Sequence, residues 1–401
     1  MTMGTATLGP DYSRTQEPRW LQKDRAGVWI SDEHGKKYLS MFCAGGTFNL
    51  GFNALDVRSA VLSLIEQHDA GMWPLPSERR DEAESQFASI LPQPLTRTYF
   101  VASAAEAFEV ACKFAKRITG RQTLVSATGG YHGHVGFSLA MDDDALPPYT
   151  YAPLAGGVRK SVYGSIESLS GLVDDNTAAV CLEAIQIPGG VVSPPEDYLA
   201  KVRRLCDERG ALLILDEVQG GLCRTGKLWA FAHYDIVPDF LVTGKGITGG
   251  YFPCGALSYR GEYGSAFSTP KLVHTTSYAG NEIGSRLAGI LAQRYSDPAL
   301  CIHVNAVGAR LSGGLKNLLP AYSDILEPIL RGRGLIYAIE AKNPLLREKI
   351  LAAALQSGIF LRGSSMNHCA IHFQPPLIIT HEEVDEALDR FERALALVTK
   401  T

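Results

Sequence analysis

Three short, unbroken apolar runs constrain the fold of this chain more than any other feature. They are Ala178-Ala-Val-Cys-Leu182, Ala211-Leu-Leu-Ile-Leu215 and Phe240-Leu-Val242. A strand with one wet face alternates apolar and polar residues, whereas a strand apolar at every position must be covered on both faces. Segments with helical apolar spacing separate such runs. Ala105 to Thr119 places Phe108, Ala111, Cys112, Ala115 and Ile118 on one face and stops at Gly120. Glu196 to Glu208 is a second helix, ended by Gly210. Further strands are expected at Thr98–Val101, Thr123–Val125 and Cys254–Tyr259. The alternation predicts an α/β fold with a mostly parallel central sheet covered on both sides. Right-handed crossovers then bring the strand C-termini, and with them any ligand, to one edge.

The two ends of the chain read differently. Residues 1–20 are weakly patterned and suggest an extended arm. Val28-Trp29-Ile30, a turn over Asp32–Gly35, and Tyr38-Leu39 suggest a hairpin. Towards the C-terminus, strands are expected at Arg333–Glu340 and Ala370–Phe373, the latter closed by Pro375-Pro376, with a helix from Leu346 to Ser357 between them. A final helix starts at Thr380, where Glu383 completes a capping box, and presents Val384, Leu388, Phe391 and Leu395. The expected organisation is an N-terminal segment over residues 1–45 that joins a small domain, a large domain over 46–299, and a smaller α+β domain over 300–401. A net charge of −4 without a long basic run argues against nucleic acid and anionic membrane surfaces as partners. No apolar run approaches a membrane span, and no basic-then-apolar leader opens the chain. The eight cysteines are scattered without a CxxC pair and read as reduced core residues of a cytoplasmic protein.

Two of the apolar runs end in charge. Leu215 leads into Asp216-Glu217, and Val242 leads into Thr243-Gly244-Lys245-Gly246. A lysine at a strand end among small residues is open to desolvation and activation as an amine nucleophile. A carboxylate at the neighbouring strand end is what a pyridinium nitrogen requires. Ser103-Ala104-Ala105 lies where a strand turns into a helix, a place for phosphate, although an ordinary N-cap serine explains Ser103 alone. Tyr131 stands among glycines after a strand, where an aromatic ring can stack on a flat heterocycle, although a loop aromatic that covers the core explains Tyr131 alone. Gln219 is three residues beyond Asp216, within reach of the same ligand.

In this order the segments resemble the class III pyridoxal-phosphate aminotransferases of fold type I, from about Val28 to the final helix. The motifs are Ser103-Ala-Ala-Glu-Ala107, Tyr131-His132-Gly133, Leu215-Asp216-Glu217-Val218-Gln219, Arg224-Thr-Gly-Lys227, Pro238-Asp239, Gly244-Lys245-Gly246 and His274-Thr-Thr-Ser-Tyr-Ala-Gly-Asn281. The resemblance implies pyridoxal 5'-phosphate held by Lys245 as an internal aldimine, with Lys245 also the proton-shuttling base. Asp216 would keep the ring nitrogen protonated, Tyr131 and Val218 would cover its two faces, and Gln219 would bond the ring oxygen. The amides of Ala104 and Ala105, beside Ser103, would hold the phosphate. His132 belongs to the Tyr131 motif, and Glu183 matches a family glutamate behind the cofactor. Ser277 matches a residue that reaches the phosphate of a partner subunit, which implies a homodimer. No metal is implied.

Departures from the family concern the substrate. Members that use 2-oxoglutarate carry arginines where this chain has His134 and His372, and a glutamate where it has Pro188. A histidine does not replace the always-charged fork that grips a carboxylate with two bonds. Arg362, in Phe360-Leu-Arg-Gly363, matches a movable arginine of some relatives and is a candidate carboxylate contact; a domain-surface ion pair is the plain alternative. Trp73, Phe48 and Trp229 are candidates for the pocket wall, or simply core. The expected activity is transfer of an amino group between an amine, amino-sugar or ω-amino substrate and a keto acceptor. Epimerases or racemases and a decarboxylase share the scaffold and are the alternative chemistry. A colourless binding protein with a structural Lys245 is the non-enzymatic alternative.

Overall fold

The computed structural model describes residues 22–72, 75–142, 155–268 and 273–400, so the arm expected over residues 1–20 lies outside the described residues. The apolar runs form a seven-stranded sheet. Its order is Leu95–Val101, Gly255–Arg260, Phe240–Gly244, Leu212–Asp216, Thr177–Glu183, Thr123–Ala127 and Val158–Ser161. The last five pair in parallel. Gly255–Arg260 runs antiparallel to both of its neighbours, so it alone is reversed. Every residue of Thr123–Ala127, Thr177–Glu183, Leu212–Asp216 and Phe240–Gly244 is buried, as strands covered on both faces require. The fold is the expected α/β arrangement.

The helix Ala104–Thr119 covers one face of this sheet with Ala107, Phe108, Ala111, Cys112 and Ala115. Ser103 caps it, and Gly120 ends it in the left-handed region at φ 71°. Four helices of eleven or more residues lacked a clear signature in the sequence. Glu78–Ala88 is polar almost throughout and buries only Ala83 and Phe87. Glu282–Tyr295 is buried on nearly every side, so it shows no stripe. Leu55–Gln67 and Pro298–Ala321 complete the set.

A second, antiparallel sheet has the order Leu326–Arg333, Ile336–Ala341, Ala370–Phe373, Arg362–Gly363. The single strand expected over Arg333–Glu340 is therefore corrected. Gly334 turns at φ 58°, and Leu335 N donates to Arg224 O at 2.9 Å, so the chain reverses inside that segment. The final helix, His381–Thr399, carries the expected capping box: Glu383 N donates to Thr380 Oγ1 at 3.2 Å, and Thr380 N to Glu383 Oε2 at 3.0 Å.

The N-terminal strands Gln22–Ala26, Trp29–Asp32 and Lys37–Ser40 form a third sheet, completed in parallel by Ile359–Phe360. Trp29 Nε1 donates to Glu383 Oε1 at 3.2 Å, tying the hairpin to the final helix. At the junction lies Arg224, a fully buried guanidinium without a carboxylate partner among the described residues. It donates to Leu335 O at 2.8 Å, Pro375 O at 2.6 Å, Asn49 Oδ1 at 2.6 Å and Cys43 Sγ at 3.1 Å. All eight cysteines are free, and no helix among the described residues is long and apolar enough to cross a membrane.

Candidate active site

Three adjacent parallel strands deliver charge to one edge of the sheet. Glu183 and Asp216 are register partners at the ends of their strands, and Lys245 follows the end of the next. Lys245 takes a left-handed backbone at φ 49°, rare for a residue with a side chain and common at functional sites. Glycines make the room it needs. A Cβ on Gly45 would stand 3.0 Å from both Lys245 Nζ and Gln219 Oε1. The lysine is half-buried as a whole, while its amine sits inside the cleft, and burial lowers its pKa. The neutral, nucleophilic form is thereby favoured.

Asp216 is fixed at both oxygens. His132 Nδ1 lies 2.9 Å from Oδ2, and Val218 N donates to Oδ1 at 3.0 Å. The His132 ring stacks on Phe108 at 4.4 Å and 12°. Burial opposes charging of His132, but the hydrogen bond and charge of Asp216 outweigh it and raise its pKa to about 9. An imidazolium thus stands behind the carboxylate and holds its orientation. Glu183 accepts from Tyr131 N at 3.1 Å and Ile187 N at 3.3 Å, so it anchors the Tyr131 loop. Burial pushes its pKa up to about 8.

The third component is the turn before the helix Ala104–Thr119. Ala104 N and Ala105 N open the helix without intrahelical acceptors, at its positive end. Close approach of the neighbouring strands depends on missing side chains: a Cβ on Gly244 would meet Ala104 Cβ at 2.7 Å, and one on Gly255 would meet Ser103 O at 2.2 Å.

The cleft has two lobes that share Tyr131, Gln219 and Lys245. The inner lobe adds Ala104, Ala105, His132, Gly133, Glu183, Asp216 and Val218. The first residues of a helix, with its free amides, an aromatic and a branched aliphatic side chain, a fixed carboxylate and an amine of lowered pKa therefore line one space. That set fits a flat, phosphorylated pyridine aldehyde. No cluster of metal-binding side chains occurs among the described residues.

Several expected residues lie elsewhere. Ser103 Oγ accepts from Glu106 N at 3.1 Å as the helix cap and does not line the cleft. His134 Nε2 is 3.3 Å from Asp142 Oδ2 and is outside both lobes. Ser277 is exposed and also outside them. Trp73 lies outside the described residues. Trp229 is core, donating to Ile90 O at 2.8 Å, and Phe48 packs on Phe52 at 5.1 Å. Arg362, His372 and Pro188 do line the outer lobe. Sequence reasoning missed Phe42, Gly45 and Gln374 there. Alternation along the strand from His372 was the available signal for Gln374; Gly45 had none.

A sequence model described as aminotransferase class-III matches residues 12–395. An uncharacterized aminotransferase of Archaeoglobus fulgidus is 34% identical over 94% of this chain and 88% of its own length. A putrescine aminotransferase of Pectobacterium atrosepticum is 33% identical over 99% of this chain and 86% of its own. Among solved structures, an ornithine aminotransferase from Toxoplasma gondii superposes with a TM-score of 0.90 at 24% identity, covering 96% of this chain and 92% of that one. A thermostable (S)-enantioselective omega-transaminase from Thermomicrobium roseum gives 0.87 at 26% identity, covering 98% and 96%.

Proposed function

The chain belongs to the class III aminotransferases, a pyridoxal-phosphate-dependent transaminase family, and from that premise we propose that it moves amino groups between an amine, amino-sugar or ω-amino substrate and a keto acceptor. The observation that carries this is the inner lobe, where Lys245, Asp216 and the amides of Ala104 and Ala105 face one another. When bound, pyridoxal phosphate supplies an aldehyde for amine exchange and an electron-withdrawing ring that acidifies the carbon bearing the substrate's amine.

The side chains divide the remaining work. Lys245 Nζ is the amine of lowered pKa in the cleft; it carries the cofactor at rest and then moves the proton at the substrate carbon. Asp216, held by His132 and Val218 N, keeps a proton on the ring nitrogen. Tyr131 and Val218, which line the inner lobe, would cover the ring faces and exclude water, and Gln219 would bond the ring oxygen. The free amides of Ala104 and Ala105 hold the phosphate. Ser277, exposed and away from its own cleft, serves the phosphate of a second copy in a homodimer. Residues 46–299 would form the cofactor-binding domain, with 1–45 and 300–401 joined in the small one. Free cysteines are in keeping with a cytoplasmic enzyme.

Arg362 lines the outer lobe without an ion pair among the described residues, which favours a carboxylate contact over a structural pair. With His372 rather than an arginine in its wall, the outer lobe has Arg362 as its one guanidinium among the described residues, so a 2-oxoglutarate-type clamp is not expected. Two similar proteins, one named for putrescine and one an omega-transaminase, favour a terminal amine as donor.

The purified holoenzyme should be yellow, and borohydride should fix the cofactor to the peptide containing Lys245. Adding an amine donor should bleach the visible band, and a keto acid should restore it. Lys245→Ala should lower turnover by about a thousandfold or more and abolish borohydride fixation. A band that no donor in a broad panel bleaches would refute transamination.

A further inference from the structure

The outer lobe contains polar groups that the fold itself does not use. His372 and Gln374 stand at alternate positions along one strand and its continuation, so they share a face opposite the core residues Ile371 and Phe373. They are 5% and 0% exposed. Yet His372 Nε2 and both polar atoms of the Gln374 amide lack a hydrogen-bond partner among the described residues. The Gln374 backbone is held firmly, donating to Met41 O at 2.8 Å and accepting from Cys43 N at 2.9 Å. Three orphaned polar atoms on one cavity wall are unusual, because a buried group without a partner is costly. Both side chains line the lobe that also contains Lys245, so a partner can come from within that lobe.

The rest of the lining restricts what that partner is. Among the described residues no carboxylate lines the lobe; besides Lys245, its cation is Arg362, the cross-strand neighbour of His372. Burial, and secondarily the charge of Arg347, lower the His372 pKa to about 4, so its ring is neutral. A substrate with a second ammonium would meet cations and no acid. A substrate with a second carboxylate would meet a neutral imidazole and a neutral amide where a fork is needed. A hydroxyl or amide both donates and accepts, which complements what Gln374 and His372 leave unpaired.

We propose that His372 and Gln374 form a neutral hydrogen-bonding subsite, which makes the substrate a monocarboxylic amine or keto compound carrying an uncharged hydroxyl or amide, rather than a diamine or a dicarboxylate. The proposal rests on the transaminase reading of the site and narrows its substrate class.

The test uses the full-length holoenzyme and γ-aminobutanoate with and without a β-hydroxyl, alongside putrescine and glutamate. The hydroxylated amine should exceed its deoxy analogue in kcat/KM by at least about tenfold, and the diamine and dicarboxylate should fall below both. Gln374→Met, close in volume but without the amide, should bring the hydroxyl-to-deoxy ratio near unity. Gln374→Glu should shift the putrescine-to-γ-aminobutanoate ratio by about tenfold towards the diamine. Calorimetric binding of β-hydroxybutanoate against butanoate gives the same ratio without turnover. Equal ratios in the wild type and both variants, or a wild-type preference for putrescine, would overturn the subsite. Failure of every amine to bleach the visible band defeats transamination instead, while the calorimetric ratio still decides the subsite.

Discussion

Glu217 shows how one buried carboxyl couples stability to pH. Its oxygens accept from Ala230 N and Phe231 N, each at 2.8 Å, and burial raises its pKa to about 8. A raised carboxyl pKa contributes stability below its ordinary value near 4.5, and that contribution is lost as pH rises through about 8. His132, raised from 6.5 to about 9, has the same sign: its contribution is complete below 6.5 and lost through about 9. The cofactor-free protein should therefore lose stability steadily from about pH 5 to about pH 9 in urea melts. Glu217→Gln should cost about 1–3 kcal/mol near pH 6, because one amide loses its acceptor, and the gap should shrink near pH 9. A gap independent of pH would refute this role for Glu217. At this scale Lys245 and Asp216 were legible because charge at the end of a buried run is conspicuous. Gly45 was not, because nothing local marks a glycine that makes room for an amine arriving from residue 245.

At the scale of elements, the strands were the legible part. Four of them are buried at every position, and such runs have few other folds open to them. Helices were read where burial is one-sided, as in Ala104–Thr119, and missed where it is nearly absent or nearly complete, as in Glu78–Ala88 and Glu282–Tyr295. The outer lobe was half legible: His372 was visible from motif comparison, while the use of Gln374 emerges only from the pleat that pairs them. The turn at Ser103–Ala105 offers a direct test of packing between elements. Gly255→Ala would place a Cβ 2.2 Å from Ser103 O, so the turn must shift. The expected cost is about 1–3 kcal/mol in denaturant melts, with at least about tenfold weaker cofactor binding by equilibrium titration. Gly313→Ala, in the helix Pro298–Ala321 with nothing within 4 Å of the added carbon, should instead stabilise by about 0.5–1 kcal/mol. Equal effects of the two substitutions would contradict the close approach of Gly255 to the turn.

Across the whole molecule, Arg224 connects segments that no stretch of sequence relates. Its guanidinium bridges Asn49, Leu335 and Pro375, so it braces the loop that holds Gly45 and the backbone next to Gln374. Arg224→Met would take this donor from the buried Leu335 and Pro375 carbonyls and leave Asn49 Oδ1 with the long contact from Cys43 Sγ at 3.8 Å. A loss of roughly 3 kcal/mol or more in the denaturant midpoint is expected, together with weaker substrate binding. An unchanged midpoint would show that the bridge is dispensable. The sheet that joins the hairpin to Ile359–Phe360 has a consequence in time rather than in space. Lys36 Nζ reaches Gln356 O across 320 residues of chain. During synthesis the hairpin's outer edge waits for a strand made some 320 residues later. Contacts of such long loop closure form slowly. Arg362 and His372 follow that strand, so the outer lobe too is completed only after it has been made, and the waiting hairpin edge is where premature association between chains would begin.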